Sequence, residues 1–116
     1  MTDLKRGDVI LVWFPNSDLK TFKRRPALVV QADNLQTGLP QVVAAMITSN
    51  LSRRGHRSRV FLGLKSPEAQ GAGLRTDSII MTDNLATILN DAVALKLGCL
   101  TDLAEVNQGL RVTLGL

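Results

Sequence analysis

The segment FKRRPALVV (residues 22–30) sets Lys23, Arg24 and Arg25 side by side just before a proline and an apolar run. Adjacent like charges repel, so such a cluster at the mouth of a core strand is best satisfied by an anionic ligand. Arginine beside proline has a further meaning. Arg25, fixed at the start of a strand by Pro26, offers a planar two-pronged donor suited to a phosphate, which lysine's point charge is not. A second cluster, Arg53, Arg54, Arg57 and Arg59, surrounds the single histidine, His56, in SRRGHRSR. With Lys20 the two clusters hold eight of the fourteen cations, and Asp18 is the only acid within them. One such run is usually a solvated face, but two point to a polyanion, and nucleic acid is the commonest.

Other chemistries are narrowed by what the chain lacks. One histidine and one cysteine, far apart, leave a tetrahedral zinc site short of ligands. No glycine-rich phosphate loop runs from a strand into a helix, and no Ser-His-Asp or Cys-His pairing is suggested by position. Aromatics are few (Trp13, Phe14, Phe22 and Phe61), which disfavours a broad base-stacking platform. Cys99, in the apolar run LKLGCL, reads as a small buried hydrophobe and cannot form an internal disulfide alone. That usage fits a reducing cytoplasm. The N-terminus mixes acidic and basic residues where a signal peptide needs an apolar stretch, and no segment reaches the roughly 18 apolar residues of a membrane span.

The elements that must position these residues are mostly strands. At 116 residues with net charge +4, the chain suits one domain, residues 1–116, with a core of its own. DVILVWF (8–14) is a continuous apolar run ending at Pro15, short and rich in β-branched and aromatic residues, which predicts a buried strand. PNSDLKTFKRR follows as a loop. Further strands are predicted at 26–31, 41–47, 59–64 and 78–82, parted by Gly38, Pro40, Gly55, Pro67, Gly71 and Gly73. From Thr101 the period changes. Leu103, Val106, Leu110 and Leu114 recur at helical spacing, with Thr101 as N-cap, Asp102 and Glu105 near the positive end and Arg111 near the negative one. The expected architecture is mainly β with α: a small antiparallel barrel closed by a C-terminal amphipathic helix.

The order of motifs RGDVILVWFP, KRRPALVVQ, MITS and GLRTDSIIMTDNLATI resembles the MazF/PemK family of bacterial toxins over nearly the whole chain. The resemblance implies a dimeric SH3-like barrel acting as a metal-independent, sequence-selective endoribonuclease with no cofactor. It also implies an antitoxin partner, whose acidic disordered segment would fold on binding in the basic groove. By this resemblance Arg25 is catalytic, and Thr48 with Ser49 matches a strand-end TS pair that holds a 2′-hydroxyl or phosphate oxygen in line. Serine and threonine at a strand end also satisfy local backbone groups, and that alternative stays open. Asp83 matches an acidic position used in catalysis or substrate binding by some members, although an Asp-Asn turn explains it equally. Some relatives carry an arginine two positions before that acid, where this chain has Met81.

Lys20, Lys23, Arg24, Arg53, Arg54 and His56 are the expected contacts to single-stranded RNA. His56 reads as a solvated loop histidine that binds rather than catalyses. Two other functions stay open: a CcdB-like inhibitor of a topoisomerase, which shares the fold superfamily and cuts no RNA, and a non-catalytic nucleic-acid-binding co-repressor.

Overall fold

The computed structural model describes residues 3–116. Its elements run β1 (Asp8–Pro15), β2 (Phe22–Val29), β3 (Gln41–Thr48), β4 (Arg59–Leu62), α1 (Pro67–Gly71), β5 (Ser78–Leu89), β6 (Val93–Cys99) and α2 (Ala104–Leu114). The strands form one antiparallel sheet in the order β4-β5-β3-β2-β1-β6. The expected barrel is therefore a strongly curled sheet that stays open, with β4 and β6 as its edges.

Each face of the sheet has its own core. On one, Val9, Leu28, Ala45, Ile47, Val60 and Ile80 pack with Ala69 and Val106 from the two helices and with Ala72, which caps α1. On the other, Ile10, Val12, Phe14, Ala27, Val29, Val42, Ala44 and Ile88 pack on one another as the sheet curls around them. Alternation makes this possible where both faces are covered: Val9 and Ile10, Ala27 to Val29, and Ala44 to Ile47 send successive side chains to opposite cores. Arg6 ties α2 to the sheet by donating to the Val30 carbonyl (2.9 Å) and to Asn107 Oδ1 (2.6 Å).

Several boundaries differ from the sequence expectation, each for a physical reason. β2 begins at Phe22 rather than Pro26, because Phe22 to Arg25 pair with Pro15 to Val12 across a hairpin and only the exposed loop 16–21 lies outside. β5 runs on to Leu89 through Asp83 and Asn84, which form no turn. Between Ala45↔Leu85 and Met46↔Met81 one step on β3 spans four on β5, so Thr82, Asp83 and Asn84 bulge out of that ladder. β6 was not anticipated, and Cys99 is exposed at its end rather than buried. An edge strand needs no continuous apolar pattern, since only one side is paired.

The helix begins two residues later than expected, its N-cap at Leu103 rather than Thr101. Leu103 takes the N-cap position without a side-chain bond, while Asp102 Oδ1 accepts the Ala104 N–H at 3.0 Å, so Thr101 is not the cap. Val106 is buried and Leu103 and Leu110 pack on the core, but Leu114 is exposed. Gly115, at φ 71°, closes the helix by donating to the Arg111 carbonyl. No helix among the described residues is long and apolar enough to cross a membrane.

Candidate active site

The ladder between β2 and β3 is short. It runs from Val29↔Ala44 to Ala27↔Met46 and stops at Pro26, which has no N–H to extend it. Beyond that point Arg25 and Pro26 leave one side of an opening and Ile47 and Thr48 the other. Two clefts flank the opening. One, of about 530 Å³, is lined by residues that include Asn16, Met46, Asn50, Arg53, Met81 and Asn84. The other, of about 540 Å³, includes Lys23, Arg24, Ser49, Arg75, Leu95 and Leu97. Arg25 and Thr48 are the two residues that line both.

Arg25 is half-buried opposite Val12 on β1. Its Nη2 donates to Asn16 Oδ1 over 3.3 Å, a long bond, and its buried Nε has no acceptor. A buried donor without a partner costs roughly 1–3 kcal/mol, and a guanidinium in that state is poised for an incoming anion. Thr48 is buried at the end of β3, and its hydroxyl oxygen accepts the Asn50 N–H at 3.1 Å. The hydroxyl proton has no protein acceptor among the described hydrogen bonds, so Thr48 both satisfies its local backbone and keeps a donor for a ligand. Ser49 is exposed and lines only the second cleft.

The hairpin loop explains why Asp18 does not neutralise its basic neighbours. Its carboxylate accepts the Lys20 N–H (2.8 Å), the Thr21 N–H (3.0 Å) and the Thr21 hydroxyl (2.9 Å). The bond from the Thr21 backbone, then that from Lys20, holds this carboxyl below its ordinary value. Lys20 is carried on this loop outside both clefts, whereas Lys23 and Arg24 line the second. Arg24 also lies over the exposed Trp13 ring, 6.0 Å from its centroid.

The second basic cluster divides. Asn50 caps the short turn Leu51–Arg53, accepting the Ser52 N–H at 3.2 Å, and Arg53 reaches the first cleft. Arg54 instead stacks 3.7 Å from the Phe61 ring centroid, away from both. His56 is exposed, accepts the Ser58 N–H at Nδ1 (3.1 Å), and lines neither cleft. Asp83 is bound to Arg59 at 2.9 Å and also lies outside the clefts. Partial burial raises its carboxyl, but the Arg59 hydrogen bond and charge, helped by its own backbone N–H and by His56, outweigh that and lower it.

Residues 5–114 match the family model described as PemK-like, MazF-like toxin of type II toxin-antitoxin system. The chain belongs to this family. Among relatives of this PemK/MazF-like toxin are Endoribonuclease MazF6 of Mycobacterium tuberculosis and Endoribonuclease MazF2 of Mycobacterium bovis. Each is 32% identical over 105 residues, with 88% of both chains covered. A solved mycobacterial endoribonuclease superposes with a TM-score of 0.74 at 25% identity, covering 100% of this chain and 95% of its own. A MazE-MazF structure from Deinococcus radiodurans shares the fold, with a TM-score of 0.69 at 22% identity, covering 100% and 98%.

In this PemK/MazF-like toxin the RP arginine and the TS threonine, 23 positions apart in sequence, are brought to one opening, while His56 and Asp83 are not. Sequence reasoning missed Asn16, Asn50, Asn84 and Arg75 as cleft residues. Arg75 lies within the motif GLRTD, but an isolated arginine carries no signal until the fold brings it to the cleft that Lys23 and Arg24 also line.

Proposed function

We propose that this PemK/MazF-like toxin is an endoribonuclease that cuts single-stranded RNA without a metal, through Arg25 and Thr48. The observation that carries this reading is their shared position between two clefts, one with an unpartnered buried Nε and the other with a free hydroxyl proton. In the reaction the RNA 2′-oxygen forms a bond to the adjacent phosphorus and the bond from phosphorus to the 5′-oxygen breaks. The products are a 2′,3′-cyclic phosphate and a 5′-hydroxyl end. Negative charge gathers on the non-bridging oxygens in the pentacoordinate state, where the Arg25 fork supplies donors. Thr48 donates to a phosphate or 2′-oxygen and holds the attack in line. Asp83, with its lowered carboxyl held by Arg59, is a weak base and acts by fixing the bulge.

A cognate antitoxin with an acidic disordered segment is the proposed inhibitor. Its charge complements the cations around the clefts, and a related endoribonuclease is solved in complex with its cognate antitoxin. A homodimer, which would set two such sites side by side, is part of the same reading. Incubating the purified protein with a long RNA in EDTA tests the function. Cleavage with cyclic-phosphate ends that a 2′-deoxy substitution at the cut abolishes is the expected result. RNA left intact by the wild-type protein would overturn it.

A further inference from the structure

Resting on the endoribonuclease reading, we infer that the cleft between β2, β6 and the segment 73–76 is a nucleotide subsite for one side of the cut, with Arg75 as its phosphate-binding residue. Four cations line it, Lys23, Arg24, Arg25 and Arg75, and no acid does. Lys23, Arg24 and Arg75 make no ion pair among the described residues, so their charge is uncompensated. The rest of the lining mixes apolar side chains, Leu11, Leu74, Leu95 and Leu97, with the hydroxyl residues Thr48, Ser49, Thr76 and Ser78. A groove that combines cations, hydroxyls and apolar side chains matches a nucleotide, whose phosphate takes the charge and whose base lies on the apolar residues.

At about 540 Å³ the volume suits a ligand of that size. Its place decides its role. Arg25 and Thr48 form the boundary with the first cleft, so a strand whose scissile phosphate lies between them extends one neighbour into each. Arg75 comes from the segment before β5, not from either basic cluster, and lines the same groove as Lys23 and Arg24. Gly73 makes this possible. At φ 74° it turns the chain against β6, where any side chain would run into the Leu97 carbonyl.

The test separates one side of the RNA from the other. After the wild-type cut is mapped, three fluorescent RNAs are made with a 2′-deoxy residue at the cut: one extended on both sides, one ending just 5′ of it, one ending just 3′ of it. Arg75→Gln is expected to weaken binding of the long RNA and of one truncated RNA by roughly tenfold, and to leave the other truncated RNA unchanged. Leu95→Asp, at an exposed side chain, should follow the same selectivity, whereas Arg111→Gln in α2 should alter none of the three. Equal weakening of all three RNAs by Arg75→Gln would mean diffuse attraction only, and weakening of none would mean no contact. Either overturns the subsite while leaving the cleavage reading intact. Failure of the wild-type protein to cut any RNA overturns that reading, and the subsite with it.

Discussion

The Asp83 carboxylate and the Arg59 guanidinium, 24 residues apart, are joined at 2.9 Å and tie the β5 bulge to the edge strand β4. Arg59 also donates to the Arg53 carbonyl at 3.2 Å, so the pair braces the loop that carries Arg53 into the first cleft. Asp83→Asn is therefore expected to lower stability by about 0.2–1 kcal/mol at pH 7, because the pair is partly exposed. The folded carboxyl is lowered, so its contribution is complete above the unfolded value near 3.8 and fades as pH falls through the folded one. Urea unfolding of both proteins at pH 7 and pH 2 checks this, and a difference that does not shrink between the two would refute it.

Arg25→Ala is expected to reduce the single-turnover cleavage rate by about 100-fold or more while RNA affinity falls far less. Arg25→Lys keeps the charge but loses the fork, and should recover only a small part of the rate. Rates and anisotropy-derived affinities measured together settle it. Loss of affinity with an unchanged rate would make Arg25 a binding residue only.

Thr48→Val preserves shape, removes the hydroxyl and leaves the Asn50 N–H without its acceptor. The expected cost is about 1–3 kcal/mol in stability, together with a loss of activity smaller than that of Arg25→Ala. Thr48→Ser restores the hydroxyl and should recover most of the activity. A serine variant as inactive as the valine one would show that the methyl group matters instead.

Binding of uncleavable single-stranded RNA should weaken with salt by a slope of about 0.7 per phosphate contact. Charge reversal at Lys23 and Arg24, which line the second cleft, is expected to flatten that slope more than reversal at Arg54, which stacks on Phe61. Titrations between low and physiological salt measure both slopes. Equal slopes would show that the clefts are not where the backbone binds.

Gly73→Ala is expected to destabilise the fold by about 3 kcal/mol or more, since a Cβ at its positive φ meets the Leu97 carbonyl. Gly55, with φ 99° but open space around it, should cost less on the same substitution. Paired thermal melts give the comparison, and equal losses would mean that backbone conformation alone sets the cost.

The sequence by itself determined the class of fold. Strand periodicity located β1, β3 and the starts of β4 and β5, and the helical period from Leu103 marked α2. Arg25-Pro26 stood out by a local signal, a cation fixed by proline, whereas Thr48-Ser49 was singled out only by the family resemblance, since a hydroxyl at a strand end otherwise reads as a local backbone partner. Where the information was non-local, tertiary structure decided. The exposed basic start of β2 is a strand only because β1 pairs with it, and β6 exists because β1 offers an edge. His56 and Arg54 share a loop with Arg53, yet only Arg53 turns into a cleft, because Phe61 takes the Arg54 guanidinium and Ser58 holds the imidazole. Arg59 finds Asp83 at the β5 bulge, and Arg75 joins Lys23 and Arg24 in lining one groove. Local spacing encodes which way a side chain leaves its strand. What it meets there is set by long-range pairing and packing, to which segments far apart in sequence contribute together.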